Sequence, residues 1–157
     1  MYIFHMSTEP VDAPRMGIML IKAARLAQGK GHAFYGTGHL LYTLVMSDDA
    51  GPAKKMLLAN NVTSESLGRV LETTLTERPL KEEHGSASPE LVLAIDGSRK
   101  LAKQHGKPYV YLCFLVQGLL AQENCDCSRL LDAIGVSRQA LHGKALTETA
   151  EFLKTVP

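Results

Sequence analysis

The side chains best suited to chemistry in this sequence are two histidines, three cysteines and one arginine–glutamine pair. His32 and His39 flank Thr37, a spacing that suits two ligands of a metal ion or a base beside a hydroxyl. Two histidines without further ligands or an orienting acid are a weak signal. A histidine just after a helix cap more simply hydrogen-bonds across the turn and fixes the loop, and the residues favour that structural role. His105 and His142 stand alone near helix ends. Cys125-x-Cys127, with Cys113, could bind zinc or form a redox pair. Zinc sites draw on two spaced ligand pairs, and a thioredoxin-like pair is Cys-x-x-Cys, so neither pattern is met. Cys113 falls on an apolar stripe and reads as a small core or groove residue.

Other catalytic patterns are missing. No Gly-x-Ser-x-Gly elbow and no Gly-x4-Gly-Lys-Ser/Thr phosphate loop occurs, which leaves a small hydrolase as the weakest reading and predicts no ATPase activity. Residues 134–146 resemble the turn and recognition helix of a helix-turn-helix, with Arg138 and Gln139 placed to reach base edges. A DNA-binding regulator is therefore the alternative function. Two observations weigh against it. The same turn recurs from Asn61 to Leu67, where the helix opens on Glu65, and a net charge of +1 gives little attraction for phosphate.

The elements that must position these residues are helical. The chain has 157 residues, 45% hydrophobic and 21% charged, with 6% aromatic residues and no Trp. A core of Leu, Val, Ile, Ala and Met follows, which favours helices over a β-sandwich. Apolar positions at Met16, Met19, Leu20, Ala23, Ala24 and Ala27 predict a first amphipathic helix, begun near Pro14 and ended by Gly29 and Gly31. Thr37 predicts the cap of a second helix through Leu40, Leu41, Leu44 and Val45. A short helix follows Pro52, and a fourth, capped by Ser64, carries Leu67, Val70, Leu71 and Leu75. Residues 76–88 read as a linker. Ser88-Pro89 starts a long helix ending at His105-Gly106. Helices through Leu112–Leu120, Leu130–Ile134 and, capped by Ser137, Ala140–Leu146 complete the set.

The two halves can be written one over the other. Leu26 to His32 lies over Leu101 to Lys107, and Leu40, Leu41 and Leu44 lie over Leu115, Val116 and Leu119. After a one-residue gap, Ala59–Val62 lies over Ala133–Val136 and Leu67 over Leu141. The expected fold is all-α: eight helices as two four-helix repeats around an approximate two-fold axis, because neither half of about 70 residues buries enough core alone.

Gly31-His32, Gly36-Thr37-Gly38-His39-Leu40-Leu41 and the Gly135-Val136 stop, each within a repeated unit, resemble the Clp N-terminal repeat domain of ClpA- and ClpC-type Hsp100 unfoldases. The resemblance covers roughly residues 12–147. It implies a non-enzymatic protein–protein interaction module of the Clp unfoldase and protease system. Such a module has no cofactor and no metal, and docks Clp components, adaptors or substrate segments. It also implies either a free-standing domain or one belonging to a larger ATPase. Where the family has Gly-Thr-Glu-His, this chain has Gly38, and in the second repeat Leu112-Cys113-Phe114. In ClpC-type domains those glutamates recognise the guanidinium of phosphoarginine, so the substitutions argue against that ligand here.

Aromatic residues collect at the two equivalent turns. Phe34, Tyr35, Thr37, Gly38, Tyr109, Tyr111, Cys113 and Phe114 are the expected protein- or peptide-binding residues. Residues 1–11 are expected as a flexible lead-in, 12–75 and 89–147 as the repeats, and 148–157 as a tail. The absence of a signal-like opening, of a bilayer-length apolar run and of a cysteine framework points to the cytoplasm, away from membranes and nucleic acid.

Overall fold

Two residues of strand, β1 (Val11–Asp12), lead into α1 (Pro14–Gly29), whose proline occupies the first turn, where no N–H is needed. The computed structural model describes residues 9–77 and 86–157, so residues 1–8 of the lead-in and 78–85 of the linker lie outside the described residues. A second strand, β2 (Phe34–Tyr35), precedes α2 (Thr37–Met46), and a 3₁₀ turn at Asp48–Ala50 leads to α3 (Pro52–Ala59) and α4 (Ser64–Thr74). The second half repeats the order: β3 (Ser86–Ala87), α5 (Pro89–Gln104), β4 (Tyr109–Val110), α6 (Leu112–Leu120), α7 (Asp126–Ala133) and α8 (Arg138–Leu153). The protein is all-α, with eight helices among the described residues.

Helix ends repeat as closely as helix bodies. Gly31 and Gly106 both take positive φ (75° and 65°), and the next N–H reaches back five residues, His32 to the Ala27 carbonyl and Lys107 to that of Ala102. Asn61 and Gly135 (φ 67° and 76°) close α3 and α7 the same way, through Val62 to Leu57 and Val136 to Leu131. A left-handed residue and this long-range bond satisfy carbonyls that a helix C-terminus would otherwise leave without donors.

The short strands tie the halves together reciprocally. β1 runs parallel to β4, pairing Val11 with Tyr109, and β2 runs parallel to β3, pairing Phe34 with Ser86. Each repeat thus supplies the strand that pairs with the turn of the other. Between them lie α2 and α6, buried along nearly their whole length. Leu40, Leu41, Leu44, Phe114, Leu115 and Leu119 are at most 1% exposed and form the middle of one continuous core.

Gly118 allows α6 to approach the backbone of α5, since a Cβ there would stand 2.6 Å from the Ala94 carbonyl oxygen. A backbone atom cannot step aside as a side chain can. Gly118→Ala is expected to lower stability by about 1–3 kcal/mol, read as the shift in urea midpoint at unchanged m-value.

Several local expectations are revised. Gly36 caps α2, so Thr37 is the first helical residue and its hydroxyl is released for another partner. Thr63, not Ser64, caps α4, accepting from the Ser66 N–H at 3.1 Å. α8 continues to Leu153, six residues into the segment read as a tail, because nothing breaks it before Lys154. Within the segment read as a linker, Thr76, Glu77 and Ser86–Ser88 are held by strand pairing and buried hydrogen bonds.

Candidate functional site

The glycine-broken turn before α2 is fixed from both sides. On one side, the Gly36 N–H donates to His39 Nδ1 (3.0 Å), His39 Nε2 meets His32 Nδ1 (2.8 Å), and His32 Nε2 meets Glu72 Oε2 on α4 (3.0 Å). His39 is fully buried, and burial first, then the neighbouring His32, lowers its pKa to about 4. A neutral imidazole in a hydrogen-bonded chain is a structural part. The Thr37 hydroxyl lies elsewhere, so neither histidine stands beside it as a base.

On the other side sits a buried carboxylate. Glu77, 3% exposed, accepts from the Thr37 N–H (2.9 Å), the Thr37 hydroxyl, the Ser88 hydroxyl and the Asp126 N–H (2.6 Å). Asp126, fully buried, answers by accepting from the Glu77 N–H (2.8 Å), the Thr76 N–H (2.7 Å) and the Thr76 hydroxyl (2.9 Å). The Cys127 N–H donates to the Thr37 hydroxyl oxygen at 2.9 Å. Glu77 therefore lies where the N-termini of α2, α5 and α7 converge, each helix end presenting N–H groups and positive partial charge. The chain leaving α4 fills the notch between these helices. Leu75 closes it from above: a Cβ on Gly38 would stand 2.5 Å from Leu75 Cδ2 and 3.1 Å from Leu130 Cδ1.

In the second repeat the equivalent notch is open. The matching caps Thr63 and Ser137 bring Glu151 to the position of Glu77 and Thr149 to that of Leu75. Three of the donors that hold Glu77 have no counterpart: Ala13 and Leu112 replace Ser88 and Thr37 and remove both hydroxyls, and Pro52, which has no N–H, replaces Asp126. Without that anchor α8 runs on as a helix, and Glu151 is 70% exposed, paired among the described residues only with Lys154 (3.2 Å). What remains is a groove of about 870 Å³ between the starts of α1, α3 and α6 and the last turns of α8. Its floor is apolar, with Pro14, Ala53, Met56, Val116, Ala145 and Phe152, while Arg15 and the pair Glu148 and Glu151 also line it. Cys113 opens onto it, and burial pushes its thiol up to about 11, leaving a neutral group there.

Residues 13–92 match the family model of the Clp repeat (R) N-terminal domain, just over half of the chain. The chain belongs to this family. Solved Clp N-domains share its fold. That of the caseinolytic protease-associated chaperone ClpD from Arabidopsis thaliana superposes with a TM-score of 0.73 at 17% identity, covering 94% of this chain and 99% of that one. The Hsp104 N-terminal domain from Candida albicans superposes with a TM-score of 0.67 at 14% identity, covering 87% and 89%. The sequence match stops within α5, whereas the structural likeness spans both repeats.

Within this Clp N-domain the expected binding residues divide. Thr37 and Phe114 are fully buried, Gly38 is sealed under Leu75, and Phe34 is 8% exposed, so these four offer a partner no surface. Tyr111 and Cys113 line the groove, Tyr109 is exposed beside it on β4, and half-buried Tyr35 lies on β2 in the other half. Arg15, Ala53, Met56, Thr149 and Phe152 were not expected from the sequence. The repeat register contained the signal: Thr149 stands where the first half has Leu75, and Pro52 stands where the second half has Asp126.

The remaining candidates have structural roles. Cys125 caps α7 and Cys127 lies in its first turn, both buried and free of disulfides. Arg138 donates to the Leu120 carbonyl at 2.6 Å, closing the end of α6, and with its side chain 14% exposed it has no reach to a base edge. Lys107, in the place of His32, donates to the carbonyls of Leu153 (2.9 Å) and Val156 (3.1 Å) at the end of α8. Among the described residues no cluster of three or more His, Cys, Asp or Glu could hold a metal ion, and no helix is long and apolar enough to cross a membrane.

Proposed function

We propose that the chain is a non-enzymatic interaction module of a Clp/Hsp100 unfoldase system, and that its docking site is the groove between α1, α3, α6 and α8. One observation carries this reading. Of two notches related by the repeat, one is filled by the chain's own backbone and a locked carboxylate, and the other is left open with an apolar floor. A solvent-facing apolar cleft of this size is a common form of recognition site. The partner is an extended apolar segment of an adaptor or of an unfolding substrate. Arg15 gives its acidic residues a partner and the pair Glu148 and Glu151 serves its basic ones. Recognition is by surface complementarity with no covalent step, within the ATP-dependent unfolding and proteolysis that Clp ATPases drive in the cytoplasm.

Ala53→Trp fills the groove without touching the buried network. Binding of a fluorescein-labelled, chemically unfolded protein, followed by anisotropy, is expected to weaken tenfold or more in this variant. The distant surface change Lys100→Ala is expected to leave it unaltered. Equal binding by Ala53→Trp and the unmodified chain rules the groove out. ATP turnover by the purified chain would overturn the non-enzymatic reading.

A further inference from the structure

The chain Gly36–His39–His32–Glu72 has its donors and acceptors fixed from one end. A backbone N–H can only donate, so His39 Nδ1 accepts from Gly36 and the ring carries its proton on Nε2. That proton is donated to His32 Nδ1, and His32 then donates its own Nε2–H to the Glu72 carboxylate. We propose that this chain is an acid-sensitive latch: a proton taken up by His32 on Nδ1 turns its hydrogen bond with His39 into a donor–donor contact, displaces the His39 ring and so breaks the hydrogen bond at the Gly36 N–H. The latch lies in the first repeat and is independent of how the groove in the second is used.

The geometry leaves no neutral way to accept the proton. The His32 side chain is 19% exposed and is the point of entry, whereas His39 is fully buried. Protonated His32 carries an N–H on both nitrogens, and its Nδ1–H then points at the Nε2–H of His39. His39 cannot relieve this by changing tautomer, because protonated His32 takes no proton from Nε2 and the Gly36 amide supplies none at Nδ1, so the ring must move and pull away from the Gly36 N–H. The donor–donor contact, or the loss of the Gly36 N–H's acceptor that relieves it, leaves a buried donor without an acceptor, which is costly.

The charged groups around the pair come from three sides. Lys30, after α1, disfavours a second positive charge, while Glu72 on α4 and Asp126 on α7 favour it. Burial and His32 outweigh both acids, so the folded state takes up a proton on His39 less readily than an unfolded chain would. The contribution of the neutral ring is therefore whole above about pH 6.5 and is lost as pH falls toward 4. The break reaches further than the turn. A Cβ at Gly36 would lie 2.5 Å from Glu77 Oε1, so the residue that loses its acceptor rests directly on the carboxylate that fills the first notch. Opening the latch loosens the hold of the α2 turn on both α4 and Glu77.

Imidazole ¹⁵N spectra and amide hydrogen exchange of the full chain, at pH 7.5 and 5.0, test this. At pH 7.5 the His39 Nδ1 signal is expected to be that of an unprotonated nitrogen. On acidification, protection of the first turn of α2 and of residues 72–77 is expected to fall about tenfold or more beyond the intrinsic change in exchange rate, since one pH unit is a factor of ten in protonation. In His32→Gln the same fall is expected to be under threefold. In Glu72→Gln, which keeps an acceptor but no charge, the midpoint of the fall is expected at lower pH. A proton on His39 Nδ1 at pH 7.5, equal losses in the unmodified chain and His32→Gln, or an unmoved midpoint in Glu72→Gln would each overturn the latch.

Discussion

Glu77→Ala is expected to destabilise the chain by about 3–5 kcal/mol, the range found when one partner of a buried charged network is removed. The substitution deletes the acceptor for four donors at once: two N–H groups, from Thr37 and Asp126, and the hydroxyls of Thr37 and Ser88. None of these residues has surface through which water could replace the carboxylate, since Thr37, Ser88 and Asp126 are all fully buried. For a chain of this length the loss corresponds to a fall in Tm of roughly 10–15 °C. The matching change Glu151→Ala serves as the internal control. Its side chain is 70% exposed and pairs with Lys154 at the surface, so its Tm is expected to stay within about 2 °C of the unmodified chain. Thermal melts of the two variants side by side separate the lock from a generic loss of a glutamate. Equal melts would show that Glu77 does not hold the first notch shut.

The second large effect comes from restoring the family's glutamate. Gly38→Glu is expected to cost 4 kcal/mol or more and to leave the chain largely unfolded. A Cβ alone would meet Leu75, Leu130 and the Cβ of Asp126 within 3.3 Å, and the carboxylate would follow into a site already holding two acids, Asp126 and Glu77. Cys113→Glu, at the equivalent position, is expected to cost no more than about 1 kcal/mol, because the side chain enters an open groove where water reaches it. Urea midpoints of the pair measure the asymmetry between the two repeats directly. Comparable stability for both variants would mean that the first notch opens as easily as the second.

Much of the fold was legible because it rests on local rules that act twice. Pro14 and Pro89 start the long helices, Gly31 and Gly106 end them, and Asn61 and Gly135 close the short ones, so each position could be checked against its copy. The all-α class and the family followed from that agreement. The site was less legible because its determinants are pairwise and distant. Glu77 sits in a polar stretch with nothing local to mark it as buried. Its donors come from residues 40 positions before it and 49 after it. Thr37 was singled out correctly as a turn residue, but a cap was the expectation, and only its partner shows that the hydroxyl spans the two repeats. The aromatic clusters suggested a binding surface at both turns. Phe34 and Phe114 proved to be core, since a ring beside a helix start is equally apt to point inward. The groove itself is a difference between the two halves, and a repeat alignment used to find what is shared draws attention away from what is not.

The reciprocal strands have a consequence for the order in which the molecule is made. Val11 pairs with Tyr109, and Phe34 with Ser86, so the first repeat leaves the ribosome with both of its strand positions unpaired. Its α2 turn, too, must wait for the Asp126 N–H before the Glu77 carboxylate is fully held. Closure across nearly a hundred residues carries an entropic cost that only the late-synthesised segments offset. The nascent first half thus lacks these partners until the second emerges, and a ribosome stalled between α4 and α6 would display the apolar faces of α1 and α2 to whatever is nearby.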